Sequence, residues 1–195
     1  MSFKIHWLLF LFALLGCTTD MQLTGNGEKQ ALETSKTLKE IMTERKISSA
    51  DLLLVVEKSK RTLSVKYKGE NLLTYPCVLG FAPEGDKMQE GDGKTPEGKF
   101  KIRSMYPHKS WSYFIWIDYP NATSQERFKS RKSKGLIDKN ARIGGEIGIH
   151  GVPEGNNELI EKGVDWTLGC ISLRTEHITD LYQSIGSKTQ IEILK

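Results

Sequence analysis

The sequence predicts a mostly-β domain of the sandwich or barrel kind, carrying short helices. From Asp51 onward the chain breaks into short runs rich in Val, Ile, Leu, Thr and aromatic residues, several alternating apolar with polar. Glycine, proline and asparagine punctuate these runs at intervals suited to turns. A chain of 195 residues also has room for one domain with a substantial core plus a tether.

Taken in order, the elements begin with an address. Lys4 precedes an apolar run from Trp7 to Leu15. The run is shorter than the ~20 residues a membrane-spanning helix needs, and it suits a secretory signal. Leu14-Leu15-Gly16-Cys17 resembles a bacterial lipobox, with cleavage before Cys17 and lipid on its sulfur. An ordinary signal peptide is the alternative. Thr18 stands where an aspartate would resemble an inner-membrane retention signal, so in a diderm bacterium the outer membrane is favoured. Thr18 to Gly27 reads as a tether. From Glu28 to Lys46, Leu32, Leu38, Ile41 and Met42 recur at helical spacing, giving an amphipathic helix packed on the domain.

Strands are expected at Leu52–Val56, Thr62–Tyr67, Leu72–Tyr75 and Phe100–Arg103, with a turn at Lys68-Gly69-Glu70-Asn71. Pro83 to Gly98 is a long loop, and loops of that length are often functional. Trp111 to Tyr119 is aromatic-rich; Phe114 and Trp116 read as buried strand residues, Tyr119 as one that faces a site. Ile147-Gly148-Ile149 brings His150 to a strand end, and Ile171-Ser172-Leu173 continues a strand past Cys170. Thr175 is read as the N-cap of a helix with Ile178 and Leu181 inward. His177 reads as a surface or cap histidine, and His108 has no motif around it.

The formal net charge of +4 falls to +3 once the signal, with Lys4, is removed. The densest basic run, Lys129 to Lys134, reads as a solvated loop, with attraction to an anionic wall polymer or lipid surface as the functional alternative. Basic residues interleaved with aromatics, as in a nucleic-acid site, are absent from the sequence, so no nucleic-acid partner is expected. Nor is a cofactor or metal: there is no Gly-rich phosphate loop or metal-ligand cluster, and His150 with Cys170 supplies only two candidate zinc ligands.

Chemistry concentrates in Ile149-His150-Gly151 and Asp165-Trp166-Thr167-Leu168-Gly169-Cys170-Ile171-Ser172-Leu173. A free cysteine has a pKa near ~8.5, so a cysteine nucleophile needs a nearby base, and His150 is the candidate. The glycine before Cys170 allows close backbone approach to a substrate. Taken alone, the pair also fits a small buried cysteine in an apolar run. Cys77 reads as such a core residue, and a Cys77–Cys170 disulfide would silence the nucleophile.

His150-Gly151 followed by Thr167-Leu168-Gly169-Cys170-Ile171-Ser172-Leu173 resembles the signature of the YkuD-type L,D-transpeptidases, a histidine-glycine pair before a Ser/Thr-x-Gly-Cys segment. Leu79-Gly80-Phe81, Gly91-Asp92-Gly93-Lys94-Thr95-Pro96-Glu97-Gly98-Lys99-Phe100, Asp118-Tyr119-Pro120-Asn121 and Gly186-Ser187-Lys188-Thr189-Gln190-Ile191-Glu192-Ile193 agree with the same family. The resemblance spans about residues 50 to 195. It implies a β-sandwich or barrel-like YkuD fold, and a division into signal peptide (1–16), lipidated tether and helix (17–49) and catalytic domain (50–195).

The implied activity is a peptidoglycan L,D-transpeptidase working through a thioester on Cys170, with His150 as base and the Gly151 carbonyl orienting it. The N–H groups of Leu168, Gly169 and Cys170 are the expected oxyanion donors, and Tyr119, Trp166 and Thr167 the expected substrate contacts. The partners are peptidoglycan stem peptides and, through lipid on Cys17, the periplasmic side of a membrane; the setting is wall remodelling and cell shape. Many members carry histidine before the Gly-Cys and arginine two places after the cysteine, where this chain has Leu168 and Ser172. Donor and acceptor therefore stay open. A cysteine hydrolase, carboxypeptidase or amidase, on the same stems is the alternative, with a non-catalytic wall-binding lipoprotein behind it.

Overall fold

The computed structural model describes residues 36–195. The signal run, Cys17, the tether and the first part of the predicted helix lie outside the described residues. Eight strands build the domain: β1 (Leu52–Glu57), β2 (Thr62–Tyr67), β3 (Glu70–Val78), β4 (Gly98–His108), β5 (Ser112–Ile117), β6 (Gly148–Gly151), β7 (Ile171–Leu173) and β8 (Gln190–Leu194). Four helices accompany them: α1 (Leu38–Arg45), α2 (Ala122–Ser133), α3 (Glu158–Glu161) and α4 (Thr175–Ser184). The strands close into a barrel in the order β1-β2-β3-β7-β6-β5-β4-β8. Two neighbour pairs, β1 with β8 and β6 with β7, run parallel. The mostly-β expectation holds.

Alternation explains the closure. Leu54 and Val56 of β1, Leu63 and Val65 of β2, Ile115 and Ile117 of β5, and Ile191 and Ile193 of β8 point to one shared core and are essentially unexposed. Each such side chain contributes about 1.5–3 kcal/mol by leaving water. Ile178 and Leu181 of α4 join them, as their helical spacing predicts. Cys77 is buried in β3 opposite Leu173, in the core position expected of it. The β2–β3 hairpin turns at Lys68 (φ 49°) and Gly69 (φ 85°), and β3 already begins at Glu70.

Three expectations need correction. Among the described residues the first helix begins only at Leu38, because Thr37 and Glu40 form a capping box; Asp180 of α4 also accepts the Leu38 N–H (2.9 Å) and the Tyr75 hydroxyl (2.8 Å). Residues Lys129 to Ser133 are the second half of α2 rather than a loop. Asn121 caps that helix by accepting the Ser124 N–H, Phe128 is its buried anchor, and lysine and arginine are good helix formers. Thr175 is the first helical residue of α4, not its N-cap, since Asn157 Oδ1 accepts its backbone N–H at 3.0 Å.

Candidate active site

The parallel pairing of β6 and β7 sets Ile149 beside Ile171 and His150 beside Ser172. Cys170, one residue ahead of β7, and His150 therefore line one pocket, of about 950 Å³. His150 is 1% exposed, and its Nδ1 lies 2.8 Å from the Gly151 carbonyl. A carbonyl only accepts, so Nδ1 carries the proton and Nε2 keeps its lone pair. Gly151 is wedged in place: a Cβ there would lie 2.6 Å from the Trp111 carbonyl oxygen.

The turn bearing Cys170 is fixed by its own hydroxyl. Thr167 Oγ1 donates to the Cys170 carbonyl (2.7 Å) and accepts the Gly169 N–H (3.1 Å). Gly169 has φ 138°, and a Cβ there would meet the Lys94 carbonyl oxygen at 2.7 Å, so the backbone approach reserved for glycine is used against the 83–98 loop. Gly80 packs as closely, with Gly93 O 2.1 Å and Gly169 Cα 3.0 Å from where its Cβ would be. Of the three expected oxyanion donors, Gly169 is already engaged by Thr167; no acceptor engages the Leu168 or Cys170 N–H among the described residues.

An aromatic wall surrounds the pair. Tyr106 of β4, Phe114 of β5, His150 of β6 and Ser172 of β7 form one row in register across four strands. Trp111 stacks on His150 at 4.4 Å between centroids, Phe114 at 5.7 Å, and Trp166 meets the ring edge-on at 5.6 Å. Trp166 and Thr167 line the pocket, and so does Leu168, 74% exposed. Tyr119 does not: it is buried in the core against Phe100, and its hydroxyl donates to the Ile143 carbonyl. His177 lies outside the pocket, tilted against Tyr75.

Tyr106, Trp111, Phe114 and Trp116 line the pocket but were not read as site residues. The alternation Phe114-Ile115-Trp116-Ile117 carried the signal, since Ile115 and Ile117 take the core face and leave the aromatics the other. Lys87, also in the lining, has no signal in its sequence neighbourhood.

Cys170 and His150 are both neutral at neutral pH. Burial pushes the Cys170 thiol up to about 11, against opposing help from the Gly148 backbone and the Lys87 charge. Burial likewise pushes His150 down to about 4, with the Gly151 bond opposing. Cys170 donates weakly to the Glu146 carbonyl at 3.5 Å, and both it and Cys77 are free thiols. Such a site holds a thiol beside an unprotonated imidazole, able to lose its proton as a bond forms. Among the described residues no group of three or more His, Cys, Asp or Glu is placed to hold a metal, and no helix is long and apolar enough to cross a membrane.

The model of the YkuD L,D-transpeptidase catalytic domain matches residues 51–193. Solved structures that share the fold include the helical cell shape determining protein Pgp2 from Campylobacter jejuni, at 22% identity and TM-score 0.54 over 80% of this chain and 54% of that one. Bd1075 from Bdellovibrio bacteriovorus aligns at 22% identity and TM-score 0.52 over 77% of this chain and 49% of that one. The chain thus spans about half the length of these proteins. No curated protein matches its sequence significantly.

Proposed function

The chain belongs to the YkuD family of L,D-transpeptidase catalytic domains, and from that premise we propose that it remodels peptidoglycan by acyl transfer through Cys170. The Cys170 sulfur attacks the carbonyl of an L-to-D peptide bond in a stem peptide, and His150 Nε2 takes the thiol proton. The C–N bond breaks, the proton passes to the leaving amine, and a thioester remains on Cys170. An incoming amine then attacks the thioester carbonyl and gives a proton to His150; the C–S bond breaks as the new amide forms, and His150 returns that proton to the Cys170 sulfur. The Leu168 and Cys170 N–H groups receive the carbonyl oxygen as it becomes anionic. The observation that carries this reading is the 2.8 Å bond from His150 Nδ1 to the Gly151 carbonyl, which keeps Nε2 bare within the pocket that holds Cys170.

Incubation with defined tetrapeptide muropeptides, with and without an acceptor amine, tests the reading by mass. Cross-linked dimers or amine-exchanged products that disappear in Cys170→Ala are expected; trimmed monomers alone would establish the hydrolase instead. Covalent labelling by a carbapenem should vanish in the same variant. The Campylobacter jejuni neighbour is named for helical cell shape, and altered cell shape is the phenotype we propose for loss of this protein.

We further propose a lipid anchor on Cys17, after removal of residues 1–16, with residues 17–49 tethering the domain to a membrane on its periplasmic side. Confinement near an insoluble substrate raises the domain's effective concentration there. Intact-mass analysis of membrane-extracted protein should show the lipid increment on a chain beginning at Cys17; soluble protein with an unmodified Cys17 would refute it.

A further inference from the structure

Two lysines are buried in this domain, and they are not equivalent. Lys58 is 3% exposed at its side chain and gives its ammonium three acceptors: the Gly85 carbonyl, the Thr95 carbonyl at 3.1 Å and Glu97 Oε1 at 2.8 Å. Its three N–H donors are all engaged, and it pins the 83–98 loop to the barrel. Lys87 is also 3% exposed at its side chain, yet among the described residues its ammonium has one acceptor, Asp92 Oδ1 at 2.8 Å. Two donors of a buried ammonium are left without partners. Burying such a group is costly unless its charge and its donors are met, so this arrangement calls for a further acceptor.

The position says where that acceptor comes from. Lys87 lines the pocket that holds Cys170 and His150, and among the described residues it is the only lysine or arginine that does. Asp92 takes one of its three N–H donors. That carboxylate also accepts the backbone N–H groups of Met88 (2.6 Å), Gln89 (3.1 Å) and Lys94 (3.0 Å), so its negative charge is shared among four donors. Of the acidic residues in the lining, Glu90 is paired with Arg142 at 2.7 Å and Glu146 is exposed. A preorganised cation with two open donors is suited to an anion, and to a carboxylate above other small groups on a peptide.

We propose that Lys87 binds the free C-terminal carboxylate of the stem peptide and so directs Cys170 to the bond next to the chain end. This rests on the reading of Cys170 given above. In such a substrate the carboxylate carbon is three bonds from the scissile carbonyl carbon, on the departing D-residue. A stem held at Lys87 by that group therefore presents its terminal L-to-D bond within the pocket. The released group is the single D-amino acid, whether an amine or water later takes the acyl chain. A carboxylate elsewhere in the stem offers the same chemistry, and the test separates the two.

The test is binding to the full chain carrying Cys170→Ala, read by calorimetry with three synthetic tetrapeptides: the free acid, its C-terminal amide, and an acid whose side-chain carboxylate is amidated. With Lys87 present, the free acid should bind tenfold or more tightly than the C-terminal amide, on the order expected for a charge-assisted hydrogen bond. Side-chain amidation should cost little. In Lys87→Met and in Lys87→Gln the preference for the acid should collapse to about twofold or less. Asp92 keeps its three backbone donors in either variant, and melting curves report whether the fold is retained; Lys87→Gln preserves a donor to Asp92 should the methionine variant unfold. Equal affinity for acid and C-terminal amide in the Lys87 protein overturns the inference, as does a preference that survives in both variants or one that follows the side-chain carboxylate. Acid preference without any Cys170-dependent turnover of the unmutated chain upholds Lys87 and counts against the catalytic reading.

Discussion

Arg61 and Asp165, 104 residues apart in the chain, meet in an ion pair of 2.6 Å that fastens the start of β2 to the segment leading into Cys170. Asp165 is nearly buried, and its other oxygen accepts the Leu79 N–H at 2.9 Å, so one carboxylate joins three stretches of backbone. Asp165→Asn should destabilise the domain by about 1–3 kcal/mol, the usual cost of orphaning a buried polar partner. Because Thr167 bonds to Leu79 and Phe81 in the same place, kcat should fall more than the loss of folded protein explains. Denaturant titration beside single-turnover rates checks both.

The neutral state of the thiol and imidazole gives a pH signature. With Cys170 near 11 and His150 near 4, iodoacetamide alkylation at Cys170, followed on its tryptic peptide, should climb with pH to about 10 or beyond, since the thiolate is the reactive form. A plateau reached below pH 8 would mean a preformed thiolate–imidazolium pair and would sink the neutral-pair description.

His150 also makes stability pH-dependent. Its folded pKa lies below its unfolded value of 6.5, so the unfolded chain binds the extra proton first and stability falls as pH drops from about 6.5 to 4. The loss attributable to this one side chain is on the order of 3 kcal/mol. Urea titrations of the wild type and His150→Gln across that range should differ by this amount, with the variant the less sensitive to acid.

Ser172 is fully buried beside His150, and among the described residues its hydroxyl has no partner. Ser172→Ala removes an unpaired polar group and should stabilise by about 1 kcal/mol, a rise of roughly 2–4 °C in Tm. A fall in Tm would mean that the hydroxyl is satisfied in solution.

Gly169→Ala forces a side chain into a positive-φ position 2.7 Å from the Lys94 carbonyl oxygen. A cost of about 2 kcal/mol or more is expected, together with loss of carbapenem labelling, because the turn must move to relieve the clash.

Where local pattern and tertiary environment agree, the sequence was legible: Thr62–Tyr67 and Ile171–Leu173 are strands at the very bounds their alternation indicates. The histidine and cysteine were legible for a similar reason, since short apolar runs on either side deliver both to neighbouring strands. Helix α2 was missed because its charged surface masks a single buried anchor, Phe128. Tyr119 was misplaced because an aromatic next to a strand end reads alike whether it turns toward a pocket or, as here, into the core. Lys87 was invisible, since only the folded barrel brings its loop into the pocket that holds Cys170.

The barrel is closed by β8, which lies antiparallel to β4 on one side and parallel to β1 on the other. A nascent chain that has presented only β1 to β7 therefore carries two raw sheet edges and cannot complete its core, however long synthesis pauses there. β8 is thus the keystone of the barrel: until it is in place, Ile191 and Ile193 are missing from the shared core.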